Sequence, residues 1–282
     1  MPEDTLSGLE NMLILDRSQL LEEPDALYPF ALDEWLGRCA GEGGPAVCHL
    51  WRHPSALILG SRDSRLPGAA AAAQQLEADG YDVVVRHSGG AAVPLDTGVL
   101  NVSLILPKTS SSLSDFREDF EKMYTLIREA LAGTGRRVDK GEIAGAYCPG
   151  DYDLSIDGLK FCGIAQRRQA RATIVQAFIV AEGSGQARAR LVRAFYEEAA
   201  SGIAKPEDYP LVTEDSTASL GELLGLGHGA AAVLTEEIKR VIGSLQSEEG
   251  LAAAGAAARL PDPNEIRANA RTMRLKYWIS NT

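Results

Sequence analysis

Cys148 lies in the segment GAYCPGDYDLS (145–155), between a tyrosine and a Pro-Gly pair and shortly before Asp151 and Asp153. A free cysteine used only for packing behaves as a small hydrophobe and usually lies within an apolar run. Cys148 instead lies in a polar turn. A thiolate is a strong nucleophile, but an unperturbed cysteine with a pKa of about 8.5 supplies little thiolate near neutrality. Nearby carboxylates reduce that fraction further, so a cationic partner is expected.

The candidate for that partner is Lys160 in LKFCGIAQRR (159–168), which has the pattern of a strand. The two-residue period of a strand predicts that Lys160 and Cys162 share a face, with Gly163 leaving space beside them. A lysine in a strand often faces solvent. If Lys160 faces a pocket, its ammonium can hold a carbonyl oxygen and stabilise developing negative charge. Cys162 is a rival thiol, although its neighbours Phe161 and Gly163 favour a packing role.

Polar residues also surround the adjacent glycines of RHSGGAAVPLDTGVLNVS (86–103). Glycine lets the backbone approach a ligand closely, although a Gly-Gly pair between strands is more often a simple turn. Arg86 and Ser88 share one strand face before the glycines, and Asn101 and Ser103 share one face of a later, mostly apolar strand. These two pairs favour a binding site. His87 faces away from the first pair and is a weak candidate for proton transfer.

Apolar periodicity indicates the elements that position these residues. Helices are predicted over 24–40, 66–80 and 116–131 and from about 186 onward; strands are predicted over 46–51, 55–61, 98–106 and 172–181, and as two pairs around Gly-Gly and Asp-Gly turns in 82–93 and 152–166. Strands in hairpins with helices before, between and after them favour an α+β fold with a mixed, largely antiparallel sheet flanked by helices. We expect a catalytic domain over 1–205 and a C-terminal helical extension over 206–282 packed on it.

Composition narrows the classes of partner. The 282 residues carry a net charge of -11, so nucleic acid and anionic membranes are not expected to attract the chain. No apolar run reaches the roughly 20 residues of a membrane-spanning helix, and the acidic N-terminus lacks a signal pattern. The four cysteines show no metal-site spacing, so no metal is expected, and free thiols in the cytoplasm are the default interpretation.

The segments RHSGGAAVPLDTGVLNVSLI and GAYCPGDYDLSIDGLKFCGIAQRR resemble the two signature regions of the biotin/lipoate protein ligase and octanoyltransferase superfamily. The resemblance is dense over roughly 50–200 and nearest to the cysteine-dependent amidotransferases. The ATP-dependent ligases of the superfamily carry a longer glycine run, a His-Asp pair and a Gly-Asn pair. This chain has Ala91, Leu95 and Val99 at those points, which disfavours the ATP-dependent reaction.

The resemblance implies a role for each matched residue. Cys148 would be the nucleophile, and Lys160 would contact the acyl carbonyl. The residues implied to bind an octanoyl or lipoyl chain in a tunnel are Arg86, Ser88, Gly89, Gly90, Ala91, Asn101, Gly163 and Ala165. No cofactor is implied.

The resemblance also implies partners. The donor would be the octanoylated or lipoylated glycine cleavage H protein, and the acceptors would be lipoyl domains of 2-oxoacid dehydrogenases. An octanoyl-acyl carrier protein donor and an ATP-dependent lipoate ligation remain as alternatives. The run QRRQAR (166–171) is basic in an acidic chain. Our hypothesis is that Arg167, Arg168 and Arg171 dock an acidic carrier protein.

Overall fold

The computed structural model describes residues 5–108, 116–200 and 205–277. Its first half contains strand β1 (Leu13–Arg17), helix α1 (Tyr28–Gly41), β2 (Val47–Trp51), β3 (Ser55–Leu59), α2 (Ala69–Ala78), β4 (Asp82–Val85), β5 (Val93–Asp96) and β6 (Val99–Pro107). Helix α3 (Phe116–Leu131) follows, then β7 (Asp139–Lys140), β8 (Leu154–Ile156), β9 (Leu159–Arg168), β10 (Ala172–Val180) and α4 (Gly185–Ala200). The helices α5 (Leu220–Leu224), α6 (Ala230–Gly243), α7 (Glu248–Ala257) and α8 (Pro263–Lys276) complete the described chain.

Two mixed sheets form the framework. The larger has the order β1-β2-β6-β10-β9-β8-β7, and only its β1–β2 pair is parallel. The smaller has the order β4-β3-β5, with β3 parallel to β4 and antiparallel to β5. The expectation of a mixed, largely antiparallel sheet with flanking helices is confirmed.

The central strand β6 shows why the large sheet is covered on both faces. Leu100, Val102 and Leu104 belong to a buried cluster with α3 and α6. Val99 and Ile105 belong to a second cluster, with α1, α2, α4 and the small sheet. Side chains that alternate along β6 therefore pack into two hydrophobic cores, one on each face of the large sheet.

The C-terminal helices contribute to both cores. Leu234 and Ile238 of α6 are buried in the cluster of α3, whereas Ile266 and Ala270 of α8 are buried in the cluster of α1. Among the described residues, no helix is long and apolar enough to cross a bilayer.

One expected hairpin is wrong. The strands β4 and β5, which flank the Gly-Gly segment, are not neighbours, because β3 lies between them in the small sheet. Residues 86–92 therefore pass the end of β3 as a loop instead of closing a tight turn. Their backbone groups are then available to the site. By contrast, β8 and β9 do form the predicted hairpin, with Asp157 (φ 52°) and Gly158 (φ 80°) in its turn.

Candidate active site

A cavity of about 470 Å³ lies against both sheets and next to the Cys148 loop. Its apolar wall comes from α1 and from both sheets. It includes Phe30 of α1, Trp51 and Phe178 of the large sheet, and Ile58, Val93 and Leu95 of the small sheet. Cavities of this size and lining suit small ligands with a substantial apolar body. The arrangement can accept an aliphatic chain.

Gly163 shapes this wall because it has no side chain. In the β9–β10 ladder Gly163 lies opposite Phe178, and a Cβ at position 163 would come within 2.5 Å of the Phe178 ring. The ring also stacks on Tyr147 with its centroid 5.7 Å away. The missing side chain at position 163 therefore lets the Phe178 ring lie against β9 and beside Tyr147, the residue before Cys148.

Cys148 lines the cavity from a strained turn. Its φ of 48° is in the left-handed region, which costs an L residue about 1–2 kcal/mol. The residue is 9% exposed, and its sulfur accepts hydrogen bonds from the Ala91 N–H (3.3 Å) and from Arg86 Nη2 (3.4 Å). Both donors favour negative charge on the sulfur. Strain of this kind persists only where surrounding contacts enforce it.

The glycine loop approaches the sulfur closely enough to exclude larger residues. Gly90 has a φ of 99°, and a Cβ there would lie 2.3 Å from Arg86 Nη2 and 2.9 Å from Cys148 Sγ. Arg86 is only 6% exposed and also donates to the Ala91 carbonyl at 2.7 Å. Arginine, glycine and thiol are therefore packed as one unit.

A second set of hydrogen bonds fixes the far side of this loop. The Tyr196 hydroxyl accepts from the Ala92 N–H (3.1 Å) and donates to Asp63 (3.0 Å), and the other Asp63 oxygen accepts from the Gly60 N–H (2.7 Å). Tyr196 comes from α4. Neither Tyr196 nor Asp63 belongs to a sequence motif that would predict these hydrogen bonds.

Lys160 is completely buried and faces the backbone of the Cys148 turn. Its Nζ donates to the carbonyl oxygens of Tyr147 (2.8 Å) and Cys148 (2.7 Å) and lies 2.8 Å from Asp153 Oδ1. These three acceptors match the three N–H donors of an ammonium group. Lys160 is not among the residues that line the cavity. Contact with an acyl carbonyl would require it to release one of these acceptors.

Asp153 balances the buried ammonium. Burial raises the pKa of Asp153 to about 6, and this effect outweighs the opposing influence of the Lys160 charge. The carboxylate is still mostly ionised at pH 7 and neutralises Lys160. The cation in contact with the thiol is therefore Arg86, whereas Lys160 and Asp153 form a separate pair below the turn.

The expectation that Lys160 and Cys162 share a face is wrong, and a bulge explains why. Leu154 pairs with Cys162 but Ser155 pairs with Lys160, so β9 contains one extra residue opposite β8. Phe161 and Cys162 both join the core cluster of α3, while Lys160 lies over the ring of Phe178 on the other face. Cys162 is 0% exposed, and burial raises the pKa of its thiol.

A polar cluster forms part of the cavity wall. Ser103 (2.6 Å) and Gln176 (2.8 Å), which both line the cavity, donate to Oδ2 of buried Asp33. Nδ1 of His49 lies 2.8 Å from the other oxygen of Asp33. The strand pattern pairs Ser103 with Asn101 but does not reveal Asp33, because this carboxylate comes from a different element and nothing in the helical pattern of α1 distinguishes it.

The structure brings most of the predicted residues together. Those that line the cavity are Cys148, Arg86, Gly89, Gly90, Asn101, Gly163 and Ala165. Ala91 does not line it but binds the sulfur through its N–H. Ser88 is buried away from it, and its hydroxyl has no partner among the described residues. Their roles toward an acyl group stay predictions.

The arginines proposed for docking are partly engaged within the molecule. Arg167 pairs with Glu34 at 2.9 Å, while Arg168 and Arg171 are exposed. The Arg168 Nε donates to Gln166 Oε1 at 3.1 Å. Hence Arg168 and Arg171 are the members of the run that present their charge at the surface.

Known structures share this fold. Lipoate-protein ligase A bound with ATP superposes with a TM-score of 0.63, covers 95% of each chain and is 17% identical. This likeness defines the class of fold.

The family follows from the sequence comparison. The model for the lipoyl protein ligase A/B catalytic domain matches residues 25–236, and the chain belongs to this family. An octanoyl-[GcvH]:protein N-octanoyltransferase from Geobacillus kaustophilus (strain HTA426) is 46% identical over 213 residues, which are 75% of each chain. A lipoyl-[GcvH]:protein N-lipoyltransferase from Listeria monocytogenes serovar 1/2a (strain ATCC BAA-679 / EGD-e) is 38% identical over 182 residues, 64% of this chain and 65% of the relative.

Proposed function

We propose that this chain is an amidotransferase of lipoate biosynthesis. It moves an octanoyl or lipoyl group from a lysine of the glycine cleavage H protein to lysines of lipoyl domains in 2-oxoacid dehydrogenases. The observation that carries the proposal is the Cys148 sulfur, which lines an apolar cavity and accepts two hydrogen bonds. The names of the relatives support the same reaction and the same donor.

The reaction has two acyl transfers, the first from the donor lysine to Cys148 and the second from Cys148 to the acceptor lysine. The Cys148 thiol gives up its proton, the thiolate attacks the carbonyl carbon of the donor amide to form a C–S bond, and the C–N bond breaks as the lysine nitrogen takes up one proton and leaves as the amine. The acceptor amine then attacks the thioester, a new C–N bond forms, and the thiolate is released with loss of a proton from nitrogen. One amide replaces another, so the exchange is close to thermoneutral and needs no ATP. The covalent intermediate divides one high barrier into two lower ones.

The residues around the sulfur have separate tasks in this proposal. Arg86 and the Ala91 N–H stabilise the attacking thiolate, which they contact directly. Lys160 is a positioning residue in the free enzyme, because it holds the two carbonyls that fix the Cys148 turn. The glycine loop and the Phe178 wall hold the acyl chain. Arg168 and Arg171 supply a positive landing site for acidic carrier proteins.

The competing reactions differ in donor and energy source, so one assay separates them. Purified protein is incubated with a lipoyl domain and one of three donors: octanoyl-H protein without ATP, octanoyl-acyl carrier protein without ATP, or free octanoate with ATP. The acceptor is followed by intact mass. We expect modification from octanoyl-H protein, and none when Cys148→Ala replaces the natural protein. Modification with acyl carrier protein alone would favour the second transferase, and modification with ATP alone would favour a ligase.

A further inference from the structure

The acyl cavity opens to the surface beside Cys148, at a rim formed by several loops and the start of α3. The cavity-lining residues that are exposed are Gly89, Gly90, Arg117, Pro149 and Asp151. A Cβ at Gly90 would lie 2.9 Å from the Cys148 sulfur, and Pro149 directly follows Cys148 in the chain. A lysine side chain that comes from outside therefore passes this rim to reach the sulfur.

The turn that carries Asp151 is fixed against α3. The Asp153 N–H donates to the Gly150 carbonyl at 3.0 Å, so Asp151 and Tyr152 are the two central residues of a tight turn. The Tyr152 ring stacks on Phe120 with the centroids 4.7 Å apart, and its hydroxyl donates to a glutamate of α3 at 2.9 Å. These contacts hold the Asp151 backbone at the rim without engaging its side chain.

The two carboxylates that line the cavity differ in what they bind. Asp153 is 1% exposed and pairs with Lys160 at 2.8 Å. Asp151 is exposed, and within residues 5–108, 116–200 and 205–277 no group forms a hydrogen bond or ion pair with its carboxylate. Asp151 is therefore the lining carboxylate that presents negative charge to a molecule entering the cavity.

The charge at the sulfur changes between the two transfers. In the free enzyme, the Arg86 guanidinium donates to the sulfur and balances the thiolate. In the acyl-enzyme the sulfur is bonded to a carbonyl carbon and is neutral, so the Arg86 charge is no longer balanced there. The acceptor lysine, with an ordinary pKa of about 10.4, arrives at neutral pH as a cation. Arg86 therefore repels the acceptor in the second transfer.

We infer that Asp151 is a substrate-binding residue that selects the acceptor by charge: its carboxylate binds the lysine ammonium at the rim and offsets the repulsion by Arg86. The inference rests on the proposed function, since it concerns the second of the two transfers. The nitrogen gives one proton to solvent before it attacks the thioester, and Asp151 takes no part in making or breaking bonds.

The distance between Asp151 and the nucleophile suits this role. Asp151 follows Cys148 by three residues, so their Cα atoms are at most about 11 Å apart. An ammonium between them lies within about 8–10 Å of the carboxylate, the range over which charges act at physiological salt. The other charged rim residue, Arg117, has the same sign as the ammonium and cannot attract it.

Two small nucleophiles of different charge test the inference. The full-length protein is first acylated at Cys148 by octanoyl-coenzyme A, and loss of the octanoyl group is then followed by intact mass. Nα-acetyl-lysine amide arrives as a cation, whereas 2-mercaptoethanol attacks as its thiolate anion. Asp151→Asn should slow the reaction with the lysine amide about 5-fold, the effect of one exposed charge pair. The thiol should react as fast as before or faster.

Two further variants provide the controls. Asp151→Glu keeps the charge and should restore the lysine rate to within about 2-fold, and Asp79→Asn should change neither rate by more than about 2-fold. Asp79 is exposed at the end of α2 and lies outside the cavity, so its replacement makes the same charge change elsewhere. Equal slowing of both nucleophiles in Asp151→Asn would indicate a disturbed turn and would overturn the inference. So would an unchanged lysine rate.

Failure of this inference and failure of the proposed function give different results. If octanoyl-coenzyme A acylates Cys148 but octanoyl-H protein does not, the proposed donor is wrong, and the two nucleophiles still decide the role of Asp151. If octanoyl-H protein acylates Cys148 normally and Asp151→Asn reacts with both nucleophiles as the natural protein does, only the role of Asp151 is refuted.

Discussion

Cys148 and Cys162 are separated by only 14 positions but lie in opposite environments. Cys148 occupies a left-handed turn at a cavity, where an arginine and a backbone N–H approach its sulfur. Cys162 is sealed in a core between the large sheet and α3, and burial raises the pKa of its thiol. The chain thus uses one thiol for packing and exposes the other to a ligand space.

The reactivity of each cysteine is therefore set by the elements around it. A regular strand places Cys162 among aliphatic neighbours that disfavour a thiolate. An irregular turn, fixed by hydrogen bonds from buried Lys160 and packed against the glycine loop, places the Cys148 thiol next to the Arg86 guanidinium.

Removal of the two thiols should give the largest contrast. Cys148→Ala should lower the rate of carrier-to-carrier transfer by about 10⁴-fold or more, as loss of a covalent nucleophile does in other enzymes. Cys162→Ala should leave the rate within a few-fold, because its sulfur faces away from the cavity. Transfer rates measured by acceptor mass check both variants. Equal losses would mean that the two sites are not distinct.

Loss of the Lys160 charge should destabilise the fold strongly. Lys160→Met leaves Asp153 buried without its partner, and breaking one side of a buried pair costs about 3–5 kcal/mol. Urea unfolding measures the effect. Lys140→Met, which removes a partly exposed lysine paired with Glu121, should cost about 1 kcal/mol or less.

A double variant separates charge from packing. Lys160→Met with Asp153→Leu should recover much of the lost stability, because no unpaired buried charge remains. If the double variant is no more stable than Lys160→Met alone, the loss of the Lys160 contacts to the Tyr147 and Cys148 carbonyls, and not the unpaired Asp153 charge, causes the destabilisation.

The Arg86 charge should matter for Cys148 and not for Cys162. Arg86→Met removes a charged donor to the sulfur, a contact worth about 1.5–3 kcal/mol, so alkylation of Cys148 by iodoacetamide at pH 7 should slow by roughly 10- to 100-fold. Cys162 should remain unlabelled in the folded protein. Arg137→Met serves as control, since the Arg137 side chain is 88% exposed. An unchanged alkylation rate would remove Arg86 from the account.

The smallest effect should come from the wall. Gly163→Ala places a Cβ within 2.5 Å of the Phe178 ring and should cost about 1–3 kcal/mol through overpacking. It should also raise the Michaelis constant for the acylated donor, because Phe178 must move into the cavity. Gly133→Ala meets nothing within 4 Å and should change neither quantity. Unfolding and steady-state kinetics measure the pair.

Local patterns were sufficient for most of the framework. The apolar run of β6, the periodicity of α3 and the Asp-Gly turn between β8 and β9 each depend on neighbours in sequence, and the structure confirms all three. The prediction failed where a distant element intervened. The strand β3 inserts between β4 and β5, and no residue in 82–96 reveals that insertion.

In the candidate site, too, local motifs identify some residues, whereas other contacts depend on distant elements. Motif spacing identified Cys148, Arg86, the glycines and Asn101, which all line one cavity. It could not assign the contacts of Lys160, because a bulge of one residue at Phe161 reverses the face on which the side chain lies. Motif spacing also missed Asp33, Asp63 and Tyr196. The Asp33 carboxylate contacts side chains that are 16 to 143 positions away, and the Tyr196 hydroxyl contacts Ala92 and Asp63 at separations of 104 and 133 positions, so only the fold brings these groups together.

The most direct measurement is the intact mass of the protein after brief incubation with octanoyl-H protein, without acceptor and without ATP. We expect a gain of one octanoyl group that hydroxylamine removes, that persists in Cys162→Ala and that is absent in Cys148→Ala. An octanoyl adduct that survives in Cys148→Ala, or efficient transfer with no adduct at any time, would contradict a Cys148 thioester intermediate.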